Sequence, residues 1–279
     1  MAKKSFSPSK TNSMKRYFFL ITGLILSLAL CMVSCKKEKI NTDNQPGGNS
    51  EPVGDGIIKN AVKDYDGNTY DAVKLGTQVW MASNLRTTHY ADGTGIPGST
   101  ETSYYSPRYY KPNNESLTSG YFYNWKAVMH GAESSENNPS GIQGVCPNGW
   151  HVPSDAEWDQ LANYCKNKSE YACNASNGYA HIAKGIAADH GWEESTKECA
   201  AGYEQSTNNI TGFNASPEGY YSGTSNSHAA LGIYTTFWGA TGCDWCTYAY
   251  SHSFTYNGMD IGRSQCEKNE GLSVRCVKD

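Results

Sequence analysis

Short runs of alternating apolar and polar residues make up most of the chain, and one longer helical pattern follows Ser154. Ser154 and Glu157 match the S-x-x-E capping box, in which each side chain accepts a hydrogen bond from the backbone amide of the other residue. Apolar residues then follow on one helical face, at spacings of three and four: Trp158, Leu161, Ala162 and Cys165. The sequence therefore predicts a helix that begins at Ser154 and faces a core.

His151 lies in a short predicted strand just before this helix. Trp150 and Val152 alternate with His151 and Gly149, which is typical of a half-buried strand, and Pro147-Asn148-Gly149 has the composition of a turn. No second titratable residue lies at a spacing that would pair with the imidazole. We therefore interpret His151 as a structural residue rather than a catalytic one.

A second helix is predicted over residues 179–188. Its apolar positions are Tyr179, Ile182, Ala183 and Ile186, and Gly191 lies just beyond its end, where glycine often terminates a helix.

The remaining chain has the pattern of short β-strands and turns. Residues 57–86 contain short strands separated by the turns Asp66-Gly67 and Gly76-Thr77, which predicts hairpins. Residues 87–120 are rich in Gly, Ser, Thr, Pro and Tyr and are interpreted as a long loop region, whereas the chain after Gly212 is turn-rich and β-like. Because the helices are confined to the middle of the chain, this order favours an α+β fold.

The first 35 residues have the layout of a secretory signal peptide. Five basic residues precede the apolar run "YFFLITGLILSLALCMVSC", and no acidic residue occurs before Glu38. The apolar stretch from Tyr17 to Val33 has 17 residues, which is at the short end for a membrane span. The ending "MVSC" resembles the lipobox of bacterial lipoproteins, with Ser34 directly before Cys35. We expect Cys35 to carry the lipid, and residues 36–56, which are polar and rich in Gly, Asn and Pro, to form a flexible tether.

Removal of this segment changes the formal net charge from −4 to −9, which disfavours nucleic acid as a partner. Eight cysteines follow Cys35, and an even number in an exported chain indicates disulfide bonds, of which about 105 pairings are formally possible.

Two short motifs are compatible with metal or redox chemistry. Asp64, Asp66 and Asn68 alternate as in a calcium loop, but Gly67 lies at position four instead of six, so a hairpin turn is favoured. The second motif is "CDWC". Thioredoxin-like chemistry would need a helix at these cysteines, and the sequence shows no helix pattern after them. Zinc binding would need a second cysteine pair nearby, and no other pair has that spacing. We therefore expect these cysteines to form structural disulfide bonds, and no cofactor or metal is expected.

Taken together, the segments resemble the Fibrobacter succinogenes major paralogous domain, a family of exported bacterial domains. The matching segments cover most of residues 57–279 in order, and they include "DYDGNTYDAVKLGTQVWMASNL", "YFYNWKAVM", "GVCPNGWHVPSDAEWDQL", "FWGAT" and "LSVRCVKD". The family is similar to C-type lectin-like and sulfatase-modifying-factor folds, which implies two helices packed on a twisted, mainly antiparallel sheet. Calcium-dependent lectin activity is not expected, because the loop motifs of C-type lectins are missing at the required places.

The resemblance also implies that Cys146 pairs with Cys276, with Trp150 and Trp158 in the core beside the bridge. We expect the other cysteines after Cys35 to be oxidised as well, with Cys173–Cys199 and Cys243–Cys246 as further pairs.

No titratable constellation has catalytic spacing, so we expect a non-catalytic binding or adhesion module rather than an enzyme. A glycan or a cell-surface protein is the expected partner, and the tyrosine-rich loop is the candidate surface: Tyr104, Tyr105, Tyr109 and Tyr110. Two alternatives remain, namely an enzyme like the sulfatase-modifying factors that uses a thiol or a metal, and a structural envelope protein without a dedicated ligand. We expect an envelope location through the lipid anchor, facing the periplasm or the outside.

Overall fold

The computed structural model describes residues 54–113, 120–176 and 178–279. These residues form three α-helices and fourteen β-strands. The helices are α1 (Trp125–Met129), α2 (Asp155–Lys166) and α3 (Ala183–Ile186). The strands are β1 (Gly56–Lys63), β2 (Thr69–Leu75), β3 (Gln78–Met81), β4 (Tyr109–Tyr110), β5 (Phe122–Tyr123), β6 (Trp150–His151), β7 (Cys173–Asn174), β8 (Ala180–His181), β9 (Tyr220–Ser222), β10 (Ser227–Ala229), β11 (Tyr234–Gly242), β12 (Tyr248–Thr255), β13 (Gly262–Glu267) and β14 (Val277–Lys278).

The predicted signal peptide, Cys35 and most of the predicted tether lie outside the described residues. The last positions of that tether belong to the folded part, because Gly56 begins β1. Asp55 accepts hydrogen bonds from the phenols of Tyr164 at 2.6 Å and Tyr171 at 2.7 Å. Asp55 and Gly56, which the sequence assigns to the tether, are therefore part of the folded chain.

The largest sheet has the strand order β1-β2-β3-β14-β6 and only antiparallel pairs. Its first three strands are the predicted hairpins. Asp64 stabilises the first turn by accepting hydrogen bonds from the backbone and side-chain amides of Asn68, so this segment is a hairpin turn as predicted. The last strand of the chain lies next to β3, which places both ends of the folded part in one sheet.

The second half of the chain is largely β-structure, as its pattern predicts. Strands β11, β12 and β13 form an antiparallel sheet, and β9 and β10 form a hairpin. Isolated bridges join this half to the end of the chain, for example Phe237 to Ser273 and Tyr221 to Gly271. The result is a mostly-sheet α+β fold with several small sheets.

Helix α2 begins at the predicted capping box. Both hydrogen bonds of the box between Ser154 and Glu157 are present. Trp158 on the buried face of α2 contacts Trp80 of β3 with ring centroids 4.7 Å apart. Burial of a large aromatic side chain stabilises a fold by roughly 1.5–3 kcal/mol, so this face attaches α2 firmly to the main sheet.

The prediction of a helix over residues 179–188 is mostly wrong. Residues 180–181 form β8, which pairs with β7, and only the single turn α3 is helical. Tyr179, assigned to the buried stripe, is 70% exposed. Backbone groups of this segment pair with distant residues instead of continuing a helix. The amide of Ala183 donates to the carbonyl of Met259, and that of Ala188 donates to the carbonyl of Ala215.

Two of the three expected disulfides are present. Cys146 is bonded to Cys276 across 130 residues, and Cys173 is bonded to Cys199 across 26 residues. The predicted Cys243–Cys246 bridge is not formed, and the expectation that every cysteine is oxidised is wrong for four thiols: Cys165, Cys243, Cys246 and Cys266. Cys165 is buried on α2 and has no cysteine partner, since its face packs against apolar side chains.

Candidate functional site

A polar cleft of about 740 Å³ lies beside the β9–β10 hairpin. Its lining comes from residues 98–101, from Tyr109, Lys111 and Asn113, and from Tyr221 and residues 226–228. We call it the tyrosine cleft. Its volume falls within the range of about 300–1,000 Å³ that is typical of small-ligand sites.

Tyr109 is held at one wall of the cleft by contacts with Tyr121 and Gly98. Strand β4 pairs with β5, which places the Tyr109 ring 5.4 Å from the ring of Tyr121 in a stacked arrangement. A Cβ at Gly98 would lie 2.9 Å from the Tyr109 ring, so glycine is needed for this close approach. Tyr109 remains half-buried and presents part of its ring to the cleft.

Tyr221 forms a second wall and is fixed by the core beneath it. Its ring stacks on the buried Tyr110 with centroids 4.2 Å apart. Its hydroxyl donates to the carbonyl oxygens of Thr100 at 2.6 Å and Asn226 at 2.7 Å. Because both the ring and the hydroxyl are held, this wall is rigid before any ligand binds.

Asn226 connects the hairpin to the loop on the opposite side of the cleft. Its backbone is left-handed, with φ of 49°, a conformation that asparagine tolerates well at a hairpin turn. Its side-chain oxygen accepts hydrogen bonds from the backbone amide of Thr102 at 2.9 Å and from the Thr102 hydroxyl at 3.0 Å. These hydrogen bonds therefore fix the distance between the 98–102 loop and the β9–β10 hairpin.

His228 lies between the tyrosine cleft and a smaller cavity of about 250 Å³, which is also lined by the buried Glu218. Its imidazole contacts the Tyr221 ring edge-on at 5.0 Å. Burial lowers the pKa of His228, so the imidazole is neutral at pH 7. With one acidic residue, Glu101, and one basic residue, Lys111, the lining of the tyrosine cleft has no strong charge bias.

The four predicted tyrosines do not form one surface. Tyr110 is only 1% exposed and belongs to the core, whereas Tyr109 lines the tyrosine cleft. Tyr104 donates a hydrogen bond to Glu267 at 2.8 Å, and Tyr105 is 88% exposed. The alternation of side chains along β4 separates Tyr109 from Tyr110. The sequence pattern missed Tyr221, His228 and Asn226, which come from a hairpin more than 100 residues away.

His151 has two acidic partners, contrary to the expectation that it has none. Its Nε2 lies 2.7 Å from Glu157 and its Nδ1 lies 2.7 Å from Asp279. Burial disfavours the charged imidazole, but the hydrogen bonds and charges of both carboxylates outweigh it and raise the pKa of His151. Glu157 also accepts hydrogen bonds from the amides of Ser140 and Ser154, so this cluster is part of the cap of α2.

The C-x-x-C segment lies on the turn between β11 and β12. Trp238 before it is buried and donates a hydrogen bond to the carbonyl of Tyr123 at 2.7 Å, whereas Trp245 within it is 95% exposed. Among residues 54–113, 120–176 and 178–279, no group of three or more His, Cys, Asp or Glu side chains is arranged to hold a metal ion.

These features define the chain as a disulfide-containing, mostly antiparallel α+β domain with a preformed polar cleft. The family model described as the Fibrobacter succinogenes major domain matches residues 73–278, and the chain belongs to this family. No significant match occurs among curated proteins or among solved structures. In the part of the chain that the structure describes, no helix has the length and apolar character needed to cross a bilayer.

Proposed function

We propose that this protein is an exported, lipid-anchored, non-catalytic carbohydrate-binding module of the cell envelope, with a C-type lectin-like architecture and Cys35 as the lipidated residue. The observation that carries the binding role is the tyrosine cleft, where two fixed tyrosine rings meet amide, hydroxyl and single charged groups. The lipid anchor rests on the sequence of the first 35 residues. The C-type lectin-like architecture is supported by α2 packed on an antiparallel sheet that contains both ends of the fold.

A sugar fits this chemistry better than a strongly charged or wholly apolar ligand. Sugar rings have apolar C–H faces that pack on aromatic rings, and hydroxyl groups that exchange hydrogen bonds with amides and carboxylates. The Tyr109 ring supplies the aromatic surface, and Glu101, Lys111 and Asn113 supply polar groups around it. Because the walls are held by internal hydrogen bonds and stacking, little conformational entropy is lost when a ligand binds.

The test is a glycan array with the purified full chain in detergent, followed by calorimetric titration of each glycan that binds. Tyr109→Ala should weaken binding roughly tenfold, because one aromatic contact contributes about 1.5 kcal/mol. Tyr105→Ala is the matched control, since Tyr105 is an exposed tyrosine in the same region that does not line the cleft. A circular dichroism melt must show that Tyr109→Ala is folded at the assay temperature.

The proposal is rejected if no glycan binds, or if Tyr105→Ala and Tyr109→Ala weaken binding equally. A second variant tests the cleft with little risk to folding: Glu101 and Lys111 are both exposed, and their joint replacement by Ala should weaken binding without lowering the melting temperature. Unchanged affinity in both cleft variants would place the binding site elsewhere on the protein, whereas the absence of any binding would favour a structural envelope role.

A further inference from the structure

The two cysteines of the C-x-x-C segment lie at the ends of one tight turn, a spacing compatible with a disulfide bond. The amide of Cys246 donates to the carbonyl of Cys243 at 3.4 Å, which closes a four-residue turn. Such turns hold their outer Cα atoms within about 7 Å, and disulfides need about 4.4–6.8 Å. Both side chains are half-exposed, so small reagents reach the sulfur atoms.

Lys268 fixes this turn and supplies positive charge beside it. Its ammonium donates to the carbonyl oxygen of Cys246 at 3.0 Å and also to that of Cys243. The same ammonium lies 4.3 Å from the ring centroid of Trp125, which limits its movement. The positive charge beside the turn favours the thiolate form of Cys246.

Two carboxylates are close to this turn in the chain, and each accepts a hydrogen bond from another donor. Asp244 accepts a hydrogen bond from the amide of Ser134 at 3.0 Å, and Glu267 accepts one from Tyr104 at 2.8 Å. The hydrogen bond with the Cys243 side chain is the largest contribution that lowers the pKa of Cys246, followed by the backbone of Tyr248.

Among the described residues, two other free thiols, Cys165 and Cys266, provide an internal contrast. Burial raises the pKa of Cys165 to about 12 and that of Cys266 to about 11. Both thiols are therefore protonated at neutral pH and unreactive, because the thiolate is the nucleophile. The fold keeps Cys165 and Cys266 as protonated thiols and leaves Cys243 and Cys246 half-exposed, so the C-x-x-C pair is the more reactive one.

We propose that Cys243 and Cys246 form a reactive dithiol that reduces small-molecule disulfides by thiol–disulfide exchange. The Cys246 thiolate attacks one sulfur of the substrate R–S–S–R, which forms a Cys246–S–S–R mixed disulfide and releases RS⁻. Cys243 then attacks the Cys246 sulfur, which forms the Cys243–Cys246 disulfide and releases the second RS⁻. Two electrons pass from the dithiol to the substrate, and the two thiol protons pass through solvent to the released thiolates.

The experiment uses the full chain after mild reduction, with peptide mapping to verify that Cys146–Cys276 and Cys173–Cys199 remain intact. Oxidised glutathione is added at pH 7.5, samples are quenched with iodoacetamide at set times, and mass spectrometry follows each cysteine. We expect the Cys243–Cys246 disulfide to form at least about tenfold faster than Cys165 or Cys266 is modified. In guanidinium chloride, the first reaction of glutathione with Cys246 should approach the rates at Cys165 and Cys266, because the folded environment of each thiol is lost.

Single substitutions distinguish the attacking thiol, Cys246, from the resolving thiol, Cys243. Cys243→Ser should accumulate a glutathione adduct on Cys246, because the resolving thiol is missing, whereas Cys246→Ser should lack the fast phase. Lys268→Met should slow the first step, and Lys268→Arg should retain most of the rate. The proposal is overturned if all four free cysteines react at one rate in the native protein, or if Cys243→Ser yields no adduct on Cys246.

Discussion

Removal of the Cys146–Cys276 bridge should destabilise the fold more than removal of the Cys173–Cys199 bridge. The first bridge connects the turn before β6 and α2 to the segment that leads into β14, and both of its cysteines are fully buried. The second bridge connects β7 to a loop near residue 199. The perturbation is a double Cys→Ala substitution at either bridge.

The loop lengths determine the expected magnitudes. In the chain-entropy model, a bridge across 130 residues restricts the unfolded chain by about 5 kcal/mol, and one across 26 residues by about 3.5 kcal/mol. The fivefold ratio of loop lengths therefore corresponds to a difference of about 1.4 kcal/mol. Both double variants remove two sulfur atoms, but Cys146 and Cys276 are fully buried whereas Cys173 is half-buried, so the lost packing increases the difference in the same direction.

Guanidinium chloride unfolding followed by tryptophan fluorescence measures both free energies. The Cys146/Cys276 double variant should also show a steeper dependence on denaturant than the other variant, because its unfolded chain is less constrained and exposes more surface. Reduced wild-type protein is the control for the contribution of both bridges together. Equal or greater destabilisation by the Cys173/Cys199 double variant would refute the loop-length argument.

Two further predictions concern His151 and Cys35. Because the folded protein raises the pKa of His151, the contribution of this residue is complete below the unfolded pKa of about 6.5 and is lost as pH rises through the folded value. The difference in unfolding free energy between wild type and His151→Gln should therefore shrink between pH 6 and pH 9 in urea titrations; a pH-independent difference would contradict this. Metabolic labelling with a palmitate analogue should label wild type and not Cys35→Ala, and equal labelling of both would remove the lipid-anchor proposal.

Sequence reasoning found the features that depend on neighbouring residues. The capping box of α2, the apolar face behind it and the hairpin turns near Asp66 and Gly76 are each specified within a few positions. Their hydrogen bonds and torsion angles involve residues close in the chain, so local physics is sufficient to predict them. The Cys146–Cys276 pairing came from the family resemblance and not from any local pattern.

The tertiary structure alone decided which side chains meet. His151 binds Asp279 from 128 residues away, and Tyr109 and Tyr221 line the same cleft. Over residues 179–188 the helical pattern was overridden, because backbone groups there bind distant partners such as Met259 and Ala215. Apolar spacing shows that a residue is suited to burial, but it does not specify which distant strand covers that residue. Contacts between distant segments form only once every sheet is in register, so they are a property of the whole fold.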